Sequence, residues 1–202
     1  MVIIRPRGGG DFVYSEAEVA VMLEDIRTAK ACGADGVVFG ALRHDGTVDT
    51  VTTGLLWNLA NDLSLDATFH RAFDMTPDPI AALDALMLIG VPRVLTSGGA
   101  PSALEGADAL AELVQRGHGR ITVLAGGGVT PGTAGELVRR CRLRELHSTA
   151  KRVERSAMLY RRPGMSMVSA RAPQDWEWTV ADERLVRGLL EAVAEAAAEA
   201  CE

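Results

Sequence analysis

The sequence is short of cysteine, of long apolar runs and of positive charge, and each shortage removes a class of protein. Cys32, Cys141 and Cys201 are the cysteines of a 202-residue chain, and no CxxC pair occurs. An odd, sparse set argues against a disulfide framework and against a cysteine-rich structural zinc site, so the three thiols read as buried or incidental. No run of 18 apolar residues exists, and Met1 leads into Arg5-Pro6-Arg7 without the apolar stretch of a signal peptide. A soluble cytoplasmic protein is therefore expected. Lys and Arg number 21 against 27 Asp and Glu, for a net charge of −6 and a pI near 5.3. That balance disfavours nucleic acid or an anionic membrane as a bulk partner, and leaves room for a local basic pocket.

At 202 residues and 48% hydrophobic, the chain can bury one sizeable core, and residues 1–202 read as a single domain. Six apolar, β-rich runs recur at 2–5, 36–40, 66–70, 93–97, 121–125 and 144–148, and helical patterns separate them. That spacing suits one strand, one helix and two short loops per unit. Ser15 with Glu18 forms a capping box before a helix over 19–31, and Gly33 can end it. Asp78 with Pro79 opens a later helix that Gly90 stops. Ser102 with Glu105 repeats the box, and Thr130-Pro131 opens another helix. Thr179 and Asp182 precede a final helix over 182–200. The strands are continuously apolar, so both faces of the sheet are expected to be covered.

Alternating strands and helices leave an open doubly wound sheet or a (β/α)8 barrel. Glycine-rich or polar material follows nearly every strand, which favours a barrel, because a barrel gathers all its strand ends into one ring. Six units are two fewer than a barrel of about 250 residues contains. The expected fold is a TIM (β/α)8-type barrel, incomplete, with about six βα units, whose outer strands would carry unpaired edges.

The stretch Thr68-Phe69-His70-Arg71-Ala72-Phe73-Asp74 ends a strand with a histidine, an arginine and a carboxylate. His70 is a candidate general acid/base and Arg71 an anion clamp, with Asp74 orienting His70. The plainer alternative is that neighbouring residues face opposite ways and one of them caps a helix. Arg5 and Arg7 are candidates to hold a carboxylate or phosphate, with Asp11 able to pair with either. Gly126, Gly127 and Gly128 suit backbone binding of an anion, or simply a tight turn. Ser97, Gly98, His147 and Ser148 complete the ring, although no G-x-S-x-G elbow supports a nucleophilic serine.

As metal ligands, His70 and His147 with a carboxylate such as Asp74 suit a borderline ion. Met158, Met165 and Met167 are soft donors in the long connection over 151–180, where methionine more often fills gaps. That connection, with Arg161, Arg162, Trp176 and Trp178, is expected to close a barrel mouth or to make a homo-oligomer contact. His44 and His118 read as solvated.

Several motifs together resemble the CutC family. They are Ile4-Arg5-Pro6-Arg7-Gly8-Gly9, Gly33-Ala34-Asp35-Gly36-Val37-Val38-Phe39-Gly40 and Asp45-Gly46 with Asp49. The Thr68 to Asp74 stretch, Arg93-Val94-Leu95-Thr96-Ser97-Gly98, Gly126-Gly127-Gly128-Val129 and Glu145-Leu146-His147-Ser148 follow in the same order. The resemblance runs from residue 1 to about residue 180. It implies a TIM barrel, a role in copper homeostasis and the binding of copper ion. Family members begin with two further βα units carrying Glu-Val-Cys and Glu-Leu-Cys type segments, which hold the cysteines proposed as copper ligands. Those segments are absent here, and Thr133 stands where the family commonly has asparagine. On that alignment the six strands are barrel strands 3 to 8, which puts the glycine run after strand 7 and His147 after strand 8, where barrels often bind phosphate.

Two functions are thus expected. One is copper homeostasis, by resemblance. The other, from the site's chemistry, is a small-molecule barrel enzyme acting on an anionic or phosphorylated substrate with His70 moving a proton. A third reading is an incomplete barrel that works only through association.

Overall fold

Alternation along each strand decides what the sheet does with its two faces. In the computed structural model, which describes residues 1–167 and 175–199, six parallel strands lie in the order of the chain. They are β1 (Val2–Ile3), β2 (Gly36–Phe39), β3 (Asp66–Phe69), β4 (Arg93–Thr96), β5 (Thr122–Gly126) and β6 (Glu145–His147). Helices α1 (Glu16–Ala31), α2 (Thr50–Asp62), α3 (Pro79–Ile89), α4 (Ala107–Gly117) and α5 (Pro131–Cys141) alternate with them. The result is an incomplete TIM-type barrel, in which β1 and β6 each pair on one side only among the described residues.

One set of alternate residues is buried under the helices. Val37, Phe39, Ala67, Phe69, Val94, Thr96 and Ala125 are all fully enclosed there. Two packed clusters result, one around Ile4, Met22, Ile26 and Leu56, the other around Phe73, Leu83, Leu110 and Leu137. The opposite set (Ile3, Val38, Leu95 and Leu124 among them) points into the concave side and lines a cavity. Among the described residues, helices cover the convex face and the concave face lines the cavity.

The caps follow the sequence with two differences. Ser15 and Glu18 make the reciprocal box of α1, Asp78 accepts from the Ile80 and Ala81 amides, and Gly90 ends α3 in the left-handed region at φ 91°. The Ser102–Glu105 box is also formed, but on a turn ahead of α4, whose first residue is Ala107. The ends of the 151–180 connection are ordered as an antiparallel ribbon of β7 (Lys151–Arg155) and β8 (Glu177–Ala181). Thr179 is therefore a strand residue, and Asp182 alone caps α6 (Glu183–Glu199). Cys201, Ala200 and the middle of that connection lie outside the described residues. Among the described residues no helix is long and apolar enough to cross a membrane.

Candidate functional site

Along the strands the inward side chains change from charged, through apolar, to basic. At the amino-terminal end Arg93 ties β3 to β6. Its Nη1 donates to Asp66 Oδ2 at 2.6 Å and its Nε to Glu145 Oε2 at 2.6 Å. Burial by itself would lower the Arg93 pKa, but hydrogen bonds and charge from Glu145 and Asp66 outweigh it and leave it raised. Two carboxylates thus face one guanidinium at this end. Ile3, Val38, Leu95 and Leu124 form the apolar middle, and Arg5, His70, Arg71 and His147 stand at the carboxyl-terminal mouth. These groups line one cavity of about 580 Å³, a size ordinary for a small-molecule site.

His70 is only 8% exposed. Its ring lies 5.0 Å from that of Phe12, and a Cβ on Gly40 would come within 2.6 Å of its Nδ1. Position 40 must therefore be glycine for the imidazole to seat. Nδ1 accepts the Ala72 amide at 3.2 Å, while Nε2 is buried with no hydrogen-bond partner. Accepting at Nδ1 puts the ring proton on Nε2. Burial, assisted by the charge of Arg5, pushes the His70 pKa down to about 4. The ring is thus neutral at neutral pH, with its lone pair occupied and one N–H to give. In this state the ring presents Nε2–H as a hydrogen-bond donor.

Arg5 crosses the mouth. Its guanidinium lies 4.5 Å from the Phe12 ring centre, its Nη2 donates to the carbonyls of Gly9 at 2.8 Å and Asp11 at 3.3 Å, and its Nε is buried and unpartnered. Arg7 turns away instead. It pairs with Glu18 at 2.6 Å and Asp11 at 2.8 Å and donates to the Val13 carbonyl. The hydrogen bond to Glu18 is the main reason its pKa is raised. Arg7 and Asp11 brace the loop that carries Phe12 and do not line the cavity.

Asp74 does not orient His70. It holds Arg71 Nε at 2.6 Å and accepts from the Thr96 hydroxyl and from the amides of Ser97 and Gly99. Arg71 Nη2 also reaches Ser97 Oγ at 2.8 Å. Ser97 therefore anchors the Arg71 side chain, and neither Ser97 nor Gly98 lines the cavity. Gly127, at φ 111°, passes so close that a Cβ would sit 3.2 Å from Ser97 Cβ and 3.4 Å from Arg71 Nη1. Gly126 lies beside His147 in register, and Gly128 packs near Ser102. Ser148 leaves the ring altogether, its Oγ donating to the Val129 carbonyl at 2.7 Å.

Copper fits this arrangement poorly. Among the described residues no three His, Cys, Asp or Glu side chains come together as a metal site. The His70 lone pair is occupied, Arg5 opposes a cation beside it, and Asp74 is engaged by Arg71. Cys32 is exposed, and Cys141 is buried against the Ala107 carbonyl, its thiol pKa raised by burial. Met158, Met165 and Met167 are exposed beyond the last barrel strand.

The sequence reading passed over Phe12, Gly40 and the Arg93 bridge. Counting back by twos from His70 and His147 would have found Asp66 and Glu145, since inward residues alternate. Phe12 carries no such signal, because a loop brings it in.

Comparisons with known proteins agree on one family. The model of the CutC family matches residues 1–152. The copper homeostasis protein cutC homolog of Mus musculus is 44% identical over 188 residues, 93% of this chain and 68% of that protein. Its Homo sapiens counterpart is 43% identical over the same shares. A family protein CutC of Glaesserella parasuis is 41% identical, covering 94% of this chain and 75% of the relative. The crystal structure of CutC from Streptococcus agalactiae superposes with a TM-score of 0.67 at 32% identity, over 72% of this chain and 70% of that one.

Proposed function

This chain belongs to the CutC family, and from that premise we propose that it serves copper homeostasis in the cytoplasm by binding a small anionic molecule in the concave cavity. The relatives' names support the first part of the reading. One observation carries the second: Arg5 and Arg71 stand with the neutral His70 at the carboxyl-terminal mouth of a barrel, where such folds place their ligand chemistry. Copper is then the ion whose level the protein affects, and not a resident cofactor of this cavity. A catalytic version of the same reading uses the His70 Nε2–H to polarise a carbonyl of the bound molecule, since neutral imidazole donors suit that role.

The test pairs cells and purified protein. Cells lacking the protein should show altered copper tolerance, restored by the wild-type chain and not by Arg5→Met. Anaerobic titration with Cu(I) should give no tight one-to-one complex at the cavity. Tight stoichiometric binding that disappears when His70 and His147 are both replaced would overturn the anion reading.

A further inference from the structure

A carboxylate stands at a mouth read as an anion site, and its contacts say what it does there. Asp74, with a side chain 7% exposed, accepts from Arg71 Nε at 2.6 Å, from the amides of Ser97 and Gly99 at 3.1 Å, and from the Thr96 hydroxyl. Arg71 Nη2 donates to Ser97 Oγ at 2.8 Å, and that oxygen lies 3.2 Å from Asp74 Oδ2. The two acceptors are thus neighbours along one edge of the guanidinium, and Ser97 Oγ is held in turn against the Ala100 carbonyl at 2.5 Å. A guanidinium is a rigid planar fork, so filling its Nε–Nη2 edge leaves the Nη1–Nη2 end as the one that can grip a second pair of oxygens. Arg71 is 45% exposed and lines the cavity, and its Nη1 has no partner among the described residues. Gly127 runs beside that nitrogen, where a Cβ would come within 3.4 Å, and so leaves the end uncovered. These groups sit at the exits of β3, β4 and β5, each of which has a strand on both sides.

We propose that Asp74 is a positioning residue: it holds Arg71 so that the Nη1–Nη2 end of the guanidinium meets the oxyanion of the ligand, a carboxylate or a phosphate. This inference rests on the assignment of the mouth as an anion site, and adds which edge of Arg71 grips the ligand and what aims it. A carboxylate 2.6 Å from the arginine works against an anion by charge, so its net effect on binding is favourable only through geometry. An end-on bidentate pair needs both Nη atoms in one plane with both ligand oxygens, and a half-exposed arginine left to itself spreads over many rotamers. The plainer role for Asp74, a tie between the exits of β3 and β4, predicts the opposite sign. Removing the charge of a mere tie makes the mouth more positive and tightens anion binding.

Nuclear magnetic resonance titration of the full chain near neutral pH tests it, with inorganic phosphate and acetate as probes. At least one should bind with one site per chain, and the tighter of the two names the group the mouth takes. For that probe Asp74→Asn, which removes a negative charge at nearly constant size, should weaken binding about tenfold, and Arg71→Lys, which keeps the charge and loses the fork, should do the same. Ser97→Ala should weaken it about threefold. Unchanged or tighter binding by a folded Asp74→Asn chain overturns the inference. Should Asp74→Asn fail to fold, the other two variants decide, and normal affinity in both overturns it. Binding lost in Arg5→Met but normal in Asp74→Asn and Arg71→Lys overturns it too, while leaving the anion site in place. Failure of both probes to bind the wild-type chain removes both.

Discussion

His70 shows how a side chain's position and its protonation are set by different parts of the sequence. Its place at a strand exit is visible in the sequence, but its pKa depends on Phe12, Gly40 and Arg5, which come from other segments. The consequence for stability has a definite sign. The folded-state pKa is about 4 against an ordinary 6.5, so the unfolded chain binds the extra proton throughout that window. Stability is fully present above pH 6.5 and is lost as pH falls toward 4. Linkage gives a loss of about 2 kcal/mol between pH 7 and pH 5 from this group alone. Urea unfolding at the two pH values should show it, and His70→Gln, which has no proton to gain, should flatten the difference. An unchanged slope in His70→Gln would mean the ring is not desolvated as described.

Elements were legible where local chemistry defines them. Asp49 is an example: its Oδ1 accepts the Val51 and Thr52 amides, each at 3.1 Å, and its Oδ2 accepts the Thr52 hydroxyl at 2.6 Å. It thereby satisfies the open amides at the start of α2. Replacing it with alanine should cost about 1 kcal/mol, read as a lower urea midpoint with an unchanged m-value, and Asp49→Asn should recover most of that. The strands were found from their apolar runs for the same local reason. The β7–β8 ribbon was not. Lys151-Arg152-Val153-Glu154-Arg155 has no apolar alternation, and its strand character comes from pairing in register with residues 177–181, over twenty positions away. Similarly, the Ser102–Glu105 box marks a turn because Gly106, the residue that precedes α4, lies against Ser97 and Gly98.

At the scale of the whole molecule, the unclosed sheet leaves a concave face that is apolar in the middle and basic at its mouth. A dye of matching character, 1-anilinonaphthalene-8-sulfonate, should therefore fluoresce with the native chain well below its unfolding transition. Leu124→Glu should abolish the signal without lowering helical content; fluorescence that survives Leu124→Glu would place the apolar surface elsewhere. What the sequence determined by itself was the alternation of strand and helix, the caps and the glycine-rich strand exits, because each depends on residues within a few positions. Tertiary structure alone decided which of the charged candidates meet. Arg5 and Arg7 are two residues apart, yet one enters the cavity and the other is drawn to Glu18, and Asp74 serves Arg71 and not His70. Those outcomes turn on competition between partners brought from distant segments, and no local pattern records it.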